Sequence, residues 1–400
     1  MNEQENRKRL NRILRDLADE IDVPPSKYRE AKEHYDAVGA WLGDDDSDLA
    51  PHDPTIYPQG SFALGTAVRP LGDDEYDVDA VCLLQLPQDQ VTQQRLKALV
   101  GDRLKHTRSR YKHMIDPADG GRRCWTIQYA DASKFHLDVL PAIPDEHGWL
   151  VTLGVPEAWA QNAICLTDRK TWNGDADWPR SNPKGYVAWF KDRMRVRLDE
   201  AKRALAMERR AEVETIEDFD VRTPLQRLIQ VLKRHRDVRY NGDDDKPISI
   251  IITTLAAQAY DNEADLADAI LNVVPRMRQS IEQRYGVWWV RNPVNPQENF
   301  ADKWAETPRK AELFFKWIEA VEQEHQNLLR DDGWSGVGDY LGEAFGHRDA
   351  KAAIERYAVR ERRQPGAAVA TPAVIIPRKS EQSATPKIEL PSNPGKPWGS

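Results

Sequence analysis

Cysteine is scarce in this chain, with Cys82, Cys124 and Cys165 the only three among 400 residues. They show neither paired spacing nor a Cys/His cluster, which excludes a disulfide framework and a zinc site. Cys82, inside an apolar run, reads as core packing. Long hydrophobic runs are missing too: none approaches the roughly eighteen residues that a membrane span needs. No hydrophobic segment follows the charged start MNEQENRKRL, so the expectation is a soluble, cytoplasmic protein with no membrane role. Nor is there an excess of positive charge. A formal net charge of −8 argues against a chain that coats nucleic acid, because sequence-independent binding to phosphates comes mainly from clustered Lys and Arg. Nucleic acid is therefore not required, and phosphate recognition must be local. No repeat period runs through the sequence.

What the chain does have is 40% apolar content over a length that allows two or three domains, enough to bury a large core. Its most informative stretch is QGSFALGTAVRPLGDDEYDVDAVCLL, from Gln59 to Leu84. A flexible Gly60-Ser61 corner is followed, about one helical segment later, by Asp77 and Asp79 at i, i+2. Val78, Ala80, Val81, Leu83 and Leu84 surround them, the pattern of a strand. Alternate strand side chains share a face, so both carboxylates point the same way, roughly 6–7 Å apart. Two like charges on one face of an apolar strand are costly unless a cation neutralises them, which predicts a divalent metal.

Asp138, in KFHLDVLPAI, lies in a second apolar run beside Leu137, Val139 and Leu140. With CWTIQYADASKF before it, Cys124 to Pro141 reads as a hairpin that can lie next to the first strand. Three carboxylates from neighbouring strands suit hard cations such as Mg²⁺, with Mn²⁺ as a substitute, and can hold two ions for phosphoryl transfer. Gly60 lets backbone approach phosphate closely, and the Ser61 N–H and hydroxyl can bond its oxygens.

Gly60-Ser61, Asp77-x-Asp79 and a later strand Asp138 together resemble the polymerase-beta-type nucleotidyltransferase superfamily. The longer string PQGSFALGT…EYDVDAV is similar to the bacterial cGAS/DncV-like nucleotidyltransferases, the SMODS family. Further matches lie at LKRHRD (Leu232 to Asp237), KPISIIITTLAA (Lys246 to Ala257) and NPVNPQENFADKW (Asn292 to Trp304), so the resemblance spans roughly residues 10 to 350. It implies an α+β, bilobal fold, with a mixed-sheet catalytic core, a helical lobe and an active site in the cleft between them. It also implies an enzyme that joins nucleoside triphosphates, ATP among them, into a cyclic di- or trinucleotide signal in anti-phage (CBASS) defence. Asp77, Asp79 and Asp138 would be catalytic and metal-binding, and Gln59, Gly60, Ser61, Lys233 and Ser249 would bind nucleotide. Partners in the family include HORMA proteins, a AAA+ ATPase and ubiquitin-ligase-like proteins that act on the C-terminal tail. Two other readings compete: a template-independent transferase making linear oligonucleotides or extending RNA ends, and a non-catalytic scaffold presenting its tail.

Helical spacing and composition divide the chain into residues 1–45, N-terminal helices packing on the core; 46–222, the catalytic core with a long spine helix; 223–362, the helical lobe; and 363–400, a Pro-rich disordered tail. Leu10, Leu14 and Leu17 mark the first stripe, and Pro24-Pro25 end it. A helix is predicted from Gln88 to His106, and loops rimming a cleft from Trp149 to Pro183, where Trp159, Trp172 and Trp178 are candidates to stack a base. Arg122 and Arg123 are candidates to meet triphosphate or to sit on a solvated loop. The helix opening at Pro183 carries an excess of basic residues from Lys191 to Arg210, read as a solvated or partner-facing side. Ser249 reads as a helix start.

Overall fold

The computed structural model describes residues 3–72, 75–116, 118–129, 135–172, 178–330 and 337–362. The expected tail, with Trp398, lies outside them. In chain order the elements are α1 (Glu3–Ile21), α2 (Pro25–Leu42), β1 (Thr55–Pro58), α3 (Gly60–Leu64), β2 (Tyr76–Leu83), α4 (Gln93–Leu104), β3 (Trp125–Tyr129) and β4 (Phe135–Pro144). There follow α5 (Gly148–Thr152), α6 (Glu157–Ala160), β5 (Ile164–Leu166), β6 (Arg180–Ser181), α7 (Pro183–Arg209), α8 (Pro224–Arg239), α9 (Ser249–Ala259) and α10 (Leu266–Gln279). The rest are β7 (Glu282–Arg284), β8 (Val287–Trp289), β9 (Arg291–Asn292), β10 (Asn295–Asn299), α11 (Lys303–Glu306), α12 (Pro308–Arg330), α13 (Val337–Phe345) and α14 (His347–Arg362).

One six-stranded sheet runs β1-β2-β4-β5-β6, with β3 also paired to β4. Only β2 and β4 are parallel; the other pairs are antiparallel. The sheet is therefore mixed and the fold α+β, as expected. Val78, Ala80 and Cys82 of β2 and Leu137 and Val139 of β4 are buried with Tyr28 and Val38 of α2 and Leu96 and Val100 of α4. That covers one face of the sheet and leaves the alternate side chains of β2 and β4 on the other. A second cluster joins α8, α9, α10, α12, α13 and α14 through residues such as Leu228, Ile252, Val273, Trp317, Leu341 and Ile354.

Several expectations need correction. Helix α1 packs on α14, α10, α8 and α12, not on the catalytic core. Its stripe Leu10, Leu14 and Leu17 is buried in the helical lobe, and Arg12–Glu361 (2.6 Å), Arg356–Glu20 and Arg360–Asp16 pairs tie it to α14. Of these two N-terminal helices, α2 is the one that meets the sheet. The predicted helix over 88–106 is shorter, because the Thr92 hydroxyl accepts from the Arg95 N–H at 3.1 Å and starts α4 there. Residues 149–183 are not just loops: they supply β5 and β6 as well as two short helices. Residues 291–306 form β9, β10 and α11. The basic side of α7 divides: Arg195, Arg203, Arg209 and Arg210 are exposed, as expected, while four other cations turn to their own chain. Arg193 donates to the carbonyls of Ala257 and Tyr260, Arg197 to that of Asn262, and Lys191 and Lys202 both pair with Asp218. These cations close off carbonyls and loop carboxylates of their own chain.

Candidate active site

The site grows from the parallel pairing of β2 and β4. Asp79 stands directly opposite Asp138 in the register, and Asp77 lies two residues back on the same face. Side-chain oxygens of Asp77, Asp79 and Asp138 come within 4.8 Å of one another. Strand β3 adds a support from the far side of β4. Thr126 pairs with Asp138, and its hydroxyl donates to Asp138 Oδ1 at 2.5 Å. Sequence reading missed this residue, although alternation places Thr126 on the polar face of WTIQY. Thr126→Val keeps the shape and removes the donor. It should lower turnover about tenfold with little change in melting temperature, measured by pyrophosphate release alongside thermal denaturation.

Burial, followed by the neighbouring Asp77 and Asp138 carboxylates, pushes the Asp79 pKa up to about 7. Asp77 is raised too, by burial and then by Asp138, with His136 acting the other way. Everything that acts on Asp79 raises it and nothing lowers it. Three converging carboxylates in that condition fit a divalent cation, which prefers hard oxygen donors and offsets their repulsion.

The corner ahead of β2 is built around this strand. Backbone N–H of Gln59 donates to the Asp79 carbonyl at 2.8 Å. Gly60 then opens α3 with φ +62°, and a Cβ there would stand 2.9 Å from Asp79 Oδ2. Both the backbone angle and the lack of room call for glycine. Gly60, Ser61, Asp77 and Asp79 form one side of a cavity of about 750 Å³. Gln59 borders a smaller neighbouring cavity instead.

Lys233, Arg236, Lys246 and Ser249 line the same large cavity. Lys233, on α8, is buried, and its ammonium donates to the Thr66 carbonyl at 3.0 Å and hydroxyl at 3.1 Å. Burial brings its pKa down to about 7. Ser249 is the first residue of α9 rather than its cap, which is Ile248. Its hydroxyl accepts from Arg236 Nη1 at 3.0 Å, and that guanidinium also holds the Pro247 carbonyl at 2.8 Å. Arg236 and Lys246 were not singled out in the sequence. Arg236 follows Lys233 by one helical turn in LKRHRD and so shares its face, a signal that was available.

Other candidates lie elsewhere. Arg122 and Arg123 both pair with the buried Asp168, at 2.5 and 2.9 Å. Trp159, Trp172 and Trp178 do not border the large cavity. Among the described residues, no helix is long and apolar enough to cross a membrane.

Residues 54–141, which carry β1, the Gly60-Ser61 corner and all three aspartates, match the family model described as the cyclic GMP-AMP synthase DncV-like nucleotidyltransferase domain. The chain is 29% identical to a c-di-GMP synthase of Roseivirga ehrenbergii over 380 residues, covering 94% of each chain. It is 25% identical to the cyclic dinucleotide synthase CdnG of Bradyrhizobium diazoefficiens, across 89% of this chain and 85% of that one. The solved structure of B. diazoefficiens CdnG in complex with GTP shares the fold, with a TM-score of 0.65 at 21% identity over 86% of this chain and 97% of that one. So does E. coli CdnC in its HORMA complex, at 0.57 and 15% over 84% and 96%. Residues 54–141 thus carry a DncV-like nucleotidyltransferase domain that holds the three carboxylates and the glycine-serine corner, and the whole chain is similar, nearly end to end, to bacterial cyclic dinucleotide synthases.

Proposed function

We propose that this enzyme joins nucleoside triphosphates into a cyclic oligonucleotide, a ring of two nucleotides, as a second messenger in bacterial anti-phage signalling. The observation that carries the reading is the convergence of Asp77, Asp79 and Asp138 beside Gly60 and Ser61, with Asp77 and Asp79 on a cavity that Arg69, Lys233, Arg236, Lys246 and Ser249 also line. Acidic and basic groups on one cavity suit a nucleotide whose α-phosphate lies by the aspartates and whose outer phosphates meet Lys233, Arg236 and Lys246. The printed names of both curated relatives, each a cyclic dinucleotide synthase, favour a ring of two.

Asp77, Asp79 and Asp138 would hold Mg²⁺ or Mn²⁺, which when bound favours ionisation of an attacking ribose hydroxyl and offsets charge on the departing pyrophosphate. The chain's own groups do the rest. Gly60 keeps the floor open for phosphate, and the Ser61 hydroxyl and backbone N–H bond phosphate oxygens. Lys233 and Arg236 fix the outer phosphates through charge-assisted hydrogen bonds. Thr126 holds Asp138 in the orientation that faces its two neighbours. Regulatory partners of the kind seen in the CdnC complex, a HORMA protein, belong to the same proposal, as do a AAA+ ATPase and ubiquitin-ligase-like proteins that engage the tail.

Incubation with each labelled nucleoside triphosphate, and with mixtures, in Mg²⁺ or Mn²⁺, followed by phosphatase and mass spectrometry, tests the reading. A phosphatase-resistant cyclic product is expected. Linear chains that phosphatase trims would support end-extension instead, and the absence of pyrophosphate release from any mixture would overturn the enzyme reading.

A further inference from the structure

Beside the phosphate cavity lies a smaller one of about 200 Å³ that shares Gly60, Leu64 and Ile250 with it and is also bordered by Gln59. Asn292 of β9, Glu298 of β10 and Phe300 just after it are among its lining. The β9–β10 pairing shifts register between Asn295 and Asn299, and Glu298 falls within that irregular stretch. Such irregularities re-aim side chains. Asn292 is locked: its Oδ1 accepts from the Val294 N–H at 3.0 Å, and its Nδ2 donates to Glu298 Oε2 at 2.7 Å. Glu298 Oε1 has no hydrogen-bond partner among the described residues. Phe300 and Ile250 give the cavity apolar walls.

We propose that this cavity takes the base of a substrate nucleotide and that Glu298, oriented by Asn292, selects guanine. The assignment rests on the nucleotidyltransferase reading above and adds the base that reading leaves open. The argument is one of donors and acceptors. Guanine presents two adjacent donors, N1–H and the N2 amine, to a carboxylate that can accept both. Adenine presents an acceptor at N1 next to a single amine, so its N1 lone pair would face a carboxylate oxygen. A half-buried acceptor left unpaired, or faced by another acceptor, rejects the wrong base far more strongly than an apolar pocket can. Burial raises the Glu298 pKa, against the Asn292 hydrogen bond and the charge of Arg123.

Two measurements test this. With GTP and ATP in equal supply, Glu298→Gln should lower the ratio of guanine to adenine in the product about tenfold or more. An unchanged ratio in a variant that melts like wild type overturns the assignment and leaves the proposed reaction standing. If wild type releases no pyrophosphate from any nucleoside triphosphate, both fall. The second measurement needs no variant. Inosine triphosphate lacks only the N2 amine, and wild type should use it with kcat/KM about tenfold below that for GTP; equal use of the two would contradict the role given to Glu298.

Discussion

Asp79→Asn should lower pyrophosphate release about a thousandfold or more, because it removes a central ligand from a site whose work is charge neutralisation and positioning. The same variant should be more stable than wild type when metal is chelated at pH 8. Burial and two neighbouring carboxylates raise the folded-state pKa of Asp79 from 3.8 to about 7. Stability tied to that group is fully present below the ordinary carboxylate pKa and lost as pH rises through about 7, since the ionised form is disfavoured in the fold. Metal-free wild type should therefore lose melting temperature between about pH 4 and pH 8, and Asp79→Asn should flatten that slope. Asp77, raised in the same direction, leaves some slope behind. Adding Mg²⁺ should restore wild type at pH 8 and do little for the variant. Equal melting temperatures for both chelated proteins at pH 8, or full activity in the variant, would mean that the three aspartates are not an ion site.

Lys233→Met should raise KM for the nucleoside triphosphate by one to two orders of magnitude and lower kcat less. Methionine fills the same volume, so packing around Thr66 is retained while the charge is lost. A proton balance adds a sharper readout. Burial has depressed the Lys233 pKa to about 7 in the free protein, so near neutral pH the amine is partly uncharged. A bound triphosphate favours the ammonium, so binding should take up a proton. Affinity should then weaken as pH rises through and beyond about 7, by more in wild type than in the variant. Calorimetry in buffers of differing ionisation enthalpy measures the uptake directly. Wild type and Lys233→Met with the same proton uptake would place the triphosphate away from this amine.

The carboxylate site was legible in the sequence because strand alternation is a local rule. Asp77 and Asp79 had to share a face, and Asp138 sat in a run that had to be a strand. What the sequence withheld was the direction and register of the pairing: nothing local said that β4 would lie parallel to β2 with Asp138 opposite Asp79. Thr126 was overlooked for the same reason, since its role exists only across a strand pair. Helix α1 shows the limit most plainly. Its stripe of leucines announced burial but not against what, and the answer, α14, lies more than 300 residues away. The inward part of the basic side of α7 was not foreseen, because charge runs reveal nothing about free carbonyls elsewhere. Arg193 and Arg197 are spent on the end of α9 and the turn after it. Glu298 gave no pattern at all, since it depends on a shifted register in a two-stranded ribbon.

The embrace of α1 by α14 has a consequence for how the polypeptide is made. Helix α1 is complete long before its partners, so Leu10, Leu14 and Leu17 gain their full cover only after α8, α10, α12 and, last, residues 347–362 have been synthesised. The sheet and α2 can settle during translation, but the helical half closes only as a late, long-range event of the slow kind. A nascent chain in that interval presents a sticky amphipathic segment, which is where a chaperone would be expected to hold it.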